Sequence, residues 1–363
     1  MISSTPTVPA AVPAARRPVA WTKLGWVTLR QRRTAMIGAG ALLGAFAVYL
    51  AVMAVIQNNA YATVAACHPA NAPKCQQLLQ LFTSSYWGGD NSVLQSGGAQ
   101  TVSSLMFAVP VLVGAFIGAP LLARELETGT FRFAWTQGAG RTRWAVSTLV
   151  LPAALLTTVM GAFTALFYWY YRPFLEDGQV SSMLPLSFAL LGVAFAAWTL
   201  FSFSLAAFLG AVFKRIVPAM AVTLVVYIAL ALATATAIRP HYETPVTVTG
   251  WNGAYGAGWV TSSWLRSPSG QPVSENEQLS LLNQLPASAL TPPKGNPKKK
   301  PPADSRTGDA FTNWLVDHGY RVGQSVQPNA RFWRFQLTEG GWLLAVSALL
   351  LGGSVGLIRR RGA

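Results

Sequence analysis

Apolar and polar positions fall along this chain in long blocks, not at the short periods of a soluble helix or strand. Six blocks are apolar on every face: Ala35–Ile56, Val102–Ala123, Ala145–Tyr171, Pro185–Phe213, Val217–Ile238 and Gly341–Ile358. A helix needs roughly 20 apolar residues to cross about 30 Å of hydrocarbon. None of the six blocks contains Asp, Glu, Lys, Arg or His. The pattern predicts an all-α membrane protein with six transmembrane helices. It divides the chain into a tail at 1–34, spans one to five at 35–238, a large segment at 239–340, and span six with a basic tail at 341–363.

Charge sets the expected orientation, because short loops rich in Lys and Arg stay on the cytoplasmic side. With the first residues inside, the inner segments hold fifteen cations against two anions, Glu125 and Glu127. The two short outer loops hold only Lys74 and Arg172. Both termini are therefore expected in the cytoplasm, with 239–340 extracytoplasmic. The apolar run after residue 34 is too long for a signal-peptide core, so no cleaved leader is expected.

Composition narrows the class further. The 363 residues are 52% hydrophobic and only 11% charged, with a formal charge of +15. Soluble domains carry about a quarter charged residues. Mean hydropathy is +0.37 and the pI is near 10.3. The basic residues flank apolar runs instead of forming one stripe, so nucleic acid is not expected as a partner. Before the first span, Val19–Arg33 mixes Trp21 and Trp26 with Arg30, Arg32 and Arg33. This suits a helix lying in the inner interface; a flank that only sets topology is the alternative.

The outer segments differ. Gln57–Thr101 is polar and holds both cysteines, Cys67 and Cys75, which are expected to form an extracytoplasmic disulfide in preference to two free thiols. Arg239–Gly340 opens on a Gly/Trp-rich stretch and runs through the Pro/Lys-rich Thr291–Gly308; its fold is left open. Phe332, Trp333, Phe335 and Trp342 read as an outer aromatic belt. The pairs Gly40/Gly44, Gly114/Gly118 and Gly352/Gly356 are spaced for close helix approach.

Catalytic motifs are missing. The chain has no Gly-Lys dipeptide, hence no phosphate-binding loop of the common type, and no H-E-x-x-H or C-x-x-C. No enzymatic activity, cofactor or metal is expected of it. The uncharged spans also lack the intramembrane ionisable groups on which ion-driven carriers commonly rely, so energy should come from a partner.

The first inner loop, Ala123–Trp144, carries the two acidic residues on a side otherwise crowded with cations. Gly129 can break the helix continuing from span two. Phe131, Phe133 and Trp135 alternate with Arg132, and Arg141 and Arg143 anchor span three. From composition, this is either a docking element or an ordinary anchored loop.

The run Arg124-Glu125-x-Glu127-x-Gly129-Thr130, followed by Arg141, resembles the first cytoplasmic loop of type 2 ATP-binding-cassette (ABC) transporter permeases. Gly25–Arg33 and Gln327–Trp342 resemble the bacterial branch of that family. The resemblance implies that Glu125, Glu127, Gly129, Thr130, Phe131 and Arg141 couple the chain to a separate ATP-binding subunit. It also implies a second permease chain, identical or related, a bacterial plasma-membrane location, and a pathway faced by spans two and five. Two departures from the pattern are Ser147 and Thr148, where a Lys often follows the Arg pair, and the length of the last outer segment. Aromatics such as Phe107, Phe116 and Tyr227, with no charge beside them, suggest an exported substrate that is amphipathic or lipid-like. Rival readings are a membrane-anchored interaction or sensor protein with an extracytoplasmic binding segment, and a secondary carrier.

Overall fold

The structure is a computed structural model that describes residues 30, 33–69, 72–87, 98–129, 141–178, 180–250, 258–284 and 314–360. Six of its helices are long and apolar enough to cross a bilayer. In chain order the elements are α1 (Arg33–Ala65), α2 (Pro73–Trp87), α3 (Ala99–Thr128), α4 (Arg141–Glu176), α5 (Pro185–Leu190), α6 (Ala194–Phe213) and α7 (Ile216–His241). Next come strands β1 (Val246–Thr249) and β2 (Gly258–Arg266), helix α8 (Glu275–Asn283), strand β3 (Arg321–Pro328) and helix α9 (Phe332–Arg360).

Helix α6 is the axis of the bundle. It packs against α3, α4, α7 and α9, and 72% of its apolar window is buried against 17% for α1 and for α7. A helix apolar all round belongs in a core or in lipid, and these values separate the two. The faces of α1 and α7 left uncovered carry Val48, Val52, Val217 and Val225. Several hydroxyls inside the spans turn back on their own helices. Ser103 donates to the Ala99 carbonyl, Thr199 to that of Phe195 and Ser347 to that of Leu343. Each of these buried hydroxyls is thus satisfied without water.

Small residues decide where α3 meets α6. A Cβ at Gly118 would lie 2.7 Å from the Phe203 carbonyl oxygen, so only glycine permits this approach. Around the same level α3 opens into a π-helical turn, Gly114–Gly118, four residues after Pro110. A second π turn, Thr234–Ile238, sits near the end of α7. Each takes in one extra residue, so the remainder of the helix is rotated out of its former phase by about 100°.

The hydropathy blocks and the helices differ at several ends, α1 running nine residues past the predicted Ile56 to Ala65, and two of the differences bear on the site. The block Pro185–Phe213 is not one helix: α5 ends at Leu190, and α6 starts at Ala194 after Gly192 at φ +66°. The break is as apolar as its flanks, so hydropathy cannot register it. Secondly, the last helix starts at Phe332, nine residues before the predicted boundary at 341. Arg331, Arg334, Gln336 and Glu339 depress the local hydropathy, yet the helix buries two of them.

The segment after α7 forms a three-stranded antiparallel sheet in the order β1-β3-β2. Val246 pairs with Val326, Thr249 with Gly323, and Arg266 with Arg321, with a bulge between Val260 and Ser262. Strand β1 comes after α7 and β3 leads into α9, so the sheet joins the ends of both helices. Gln327 donates to the carbonyls of Pro240 (3.1 Å) and Glu243 (2.6 Å). Arg331 pairs with the Glu243 carboxylate at 2.9 Å and donates to the Thr244 carbonyl at 2.7 Å.

Candidate functional site

The bundle carries one candidate region at each end. At the end opposite the sheet, α3 terminates at Gly129, whose φ of +72° turns the chain out of the helix. Glu127 is exposed there and Glu125 half-buried. Arg141 opens α4, bringing its backbone to the same end. Thr130 and Phe131 lie outside the described residues, as do Trp21, Trp26 and Arg32. Arg30 is helical and exposed, and Arg33 begins α1. At the sheet end, Cys67 and Cys75 are joined by a disulfide with Cα atoms 5.6 Å apart, between α1 and α2.

The second region was not anticipated from sequence. Glu339, on the inner face of α9, is completely buried, and Arg239, beyond the π turn of α7, is 3% exposed. Arg239 donates from Nε to Oε2 at 2.8 Å and from Nη2 to Oε1 at 2.7 Å. This is the side-on, two-point grip that suits a planar guanidinium and a carboxylate. The Trp198 indole nitrogen on α6 donates to Oε1 at 2.8 Å. The guanidinium carbon lies 4.3 Å from the centroid of the Phe188 ring on α5. Four elements therefore converge on one ion pair. Tyr242 supports the outer side: its hydroxyl accepts from the Trp342 indole at 2.9 Å. Burial, and then the Glu339 charge, push the Tyr242 phenol up to about 12, so it remains protonated at physiological pH.

A second polar residue of α9 repairs the broken span. Gln336 donates to the Phe188 carbonyl and accepts from the Ala194 N–H, both at 2.8 Å. Those are orphan groups at the end of α5 and the start of α6. Gly192 leaves room, since a Cβ there would come within 2.8 Å of the Gln336 amide.

Sequence reading assigned Arg239 and Glu339 to an outer segment. A signal was present: Phe335, Gln336, Glu339, Leu343 and Ser347 keep a helical period, and all are buried. The polar members hid the period from a hydropathy window.

Beside the ion pair lies a cavity of about 220 Å³. Its walls are apolar: Phe107 and Pro110 of α3, Trp198 of α6, Tyr227 and Ala235 of α7, with Arg239 at the polar end. Phe107 and Tyr227, singled out from sequence as aromatics on spans two and five, thus share one cavity; Phe116 is instead exposed on the surface of α3.

This architecture is that of a multi-pass membrane protein built around a packed helical bundle. Residues 40–239 match the family described as ABC-2 membrane transporter related, and the chain belongs to that family. Its members' domains are permease-type membrane subunits, not themselves ATPases. The match ends at Arg239, so α9 and Glu339 lie beyond it. No curated protein and no solved structure matches the chain.

Proposed function

We propose that the chain is the membrane-spanning subunit of an ABC exporter moving an amphipathic or lipid-like compound across a bacterial plasma membrane. ATP is hydrolysed by a separate ATP-binding subunit. A second permease chain, a copy or a relative, completes the complex. The termini and the Gly129 end of α3 face the cytoplasm, and the disulfide and the sheet face outward. The excess of Lys and Arg at one end of the bundle supports this orientation.

One observation carries the coupling reading. Helix α3 of the family-matched region stops at Gly129, leaving Glu127 exposed at the helix end. There Glu125, Glu127, Gly129, Thr130, Phe131 and Arg141 form the docking element for the ATP-binding subunit. Movement of that subunit on binding ATP is transmitted along α3 to its packing against α6. The mostly apolar walls of the cavity, with the Arg239 charge neutralised by Glu339, favour an amphipathic cargo over an ion.

The test is a pull-down of the solubilised chain from its own membranes, with loop 123–144 intact or scrambled. Loop-dependent recovery of an ATP-binding subunit is expected. Recovery of none, with the chain inserted, would replace the exporter reading with a carrier or a membrane-anchored interaction protein.

A further inference from the structure

The arginine of the buried pair has a donor to spare. Nε and Nη2 are directed at Glu339, while Nη1, fully buried, has no hydrogen-bond partner among the described residues. A planar guanidinium that uses its Nε/Nη2 edge points Nη1 away from that partner. An unsatisfied donor in an apolar surround is unfavourable, and this arginine forms the polar end of the apolar cavity. The rest of the lining comes from α3, α5, α6 and α7. Phe107 on its rim is 41% exposed, so the cavity borders the bundle's lateral face.

We infer that this cavity is a binding subsite for an uncharged amphipathic molecule, its apolar group filling the cavity and an oxygen accepting a hydrogen bond from Arg239 Nη1. This deepens the exporter reading by naming the chemistry of the cargo, and rests on it for the cargo's transport. Three properties set the ligand class. The cavity, about 220 Å³, exceeds the roughly 150 Å³ that admits benzene, so it takes an aryl ring or a branched alkyl group with a small substituent. The ion pair is neutral as a unit, so it does not select a full anion, which would meet the Glu339 carboxylate. Nη1 is one nitrogen, suited to a ketone, ester, amide or ether oxygen and not to a phosphate needing several donors.

Benzophenone is a direct probe: it is an uncharged aryl ketone, one ring filling the cavity and the other passing out beside the exposed Phe107 rim, and it inserts into neighbouring C–H bonds on irradiation. The full chain in lipid nanodiscs is irradiated with it, digested and mapped by mass spectrometry. Adducts are expected on the peptides holding Phe107 and Ala235. Ala235→Phe, which fills the cavity while leaving both members of the ion pair in the chain, should abolish them. Acetophenone should compete about tenfold better than ethylbenzene at equal membrane concentration, the ratio expected for one hydrogen bond to a charged donor. Adducts scattered over lipid-facing residues and insensitive to Ala235→Phe would overturn the subsite. Equal competition by ethylbenzene would overturn the role of Nη1. No ATP-binding subunit enters this test, so its failure is separable from failure of the coupling reading.

Discussion

Arg239 and Glu339 stand one hundred residues apart in the chain and share two hydrogen bonds, of 2.8 and 2.7 Å, at almost no exposure. The pair bridges the family-matched region and the helix beyond it.

Breaking this pair from one side strands a charge in an apolar surround. Glu339→Ala should destabilise by about 3–5 kcal/mol, while the double variant Arg239→Met, Glu339→Leu should recover most of that loss. Thermal unfolding of the detergent-solubilised chain reads both. Equal damage from the single and double changes would show that the site depends on its charges for more than mutual neutralisation.

The glycine pairs make opposite predictions. A Cβ at Gly118 collides with the Phe203 backbone, whereas nothing lies within 4 Å of one at Gly44. Gly118→Ala should cost about 1–3 kcal/mol through forced separation of α3 and α6. Gly44→Ala should leave unfolding of the solubilised chain unchanged or slightly raised. A loss on Gly44→Ala confined to the assembled complex would place that face of α1 against another chain.

Thr234 is fully buried with its hydroxyl unpartnered among the described residues. Thr234→Val keeps the shape and removes the stranded group, so stability should rise by about 1 kcal/mol. Unfolding temperature is the readout.

Glu127→Lys adds a cation to a loop already rich in them. The proposed docking role predicts that ATP-dependent export falls while membrane insertion is kept. Unchanged export would remove Glu127 from the interface. A reporter placed near Pro301 should read as extracytoplasmic.

The spans were legible in the sequence because about twenty consecutive apolar residues have few other uses. What escaped had specific reasons. The break at Gly192 carries no polar marker and is closed by Gln336, about 140 residues later, through partners no local window contains. The start of α9 was missed because buried polar residues lower an average as much as exposed ones. The sheet was missed because β1 has four residues and borders a Gly-rich stretch. Among the predicted close-packing glycines, Gly114 and Gly118 touch α6, while Gly40, Gly44, Gly352 and Gly356 meet nothing among the described residues. Spacing alone cannot distinguish these cases.

The sheet stands on two legs. One is the end of α7 and the other the start of α9, clamped together by Gln327, Arg331 and Glu243. Tilting one leg against the other would shear the β1–β3 ladder or tear the clamp. These two helices are therefore yoked, and a rearrangement that opens the bundle must find its hinge elsewhere. A ligand gripping the sheet from outside would brace both helices at once.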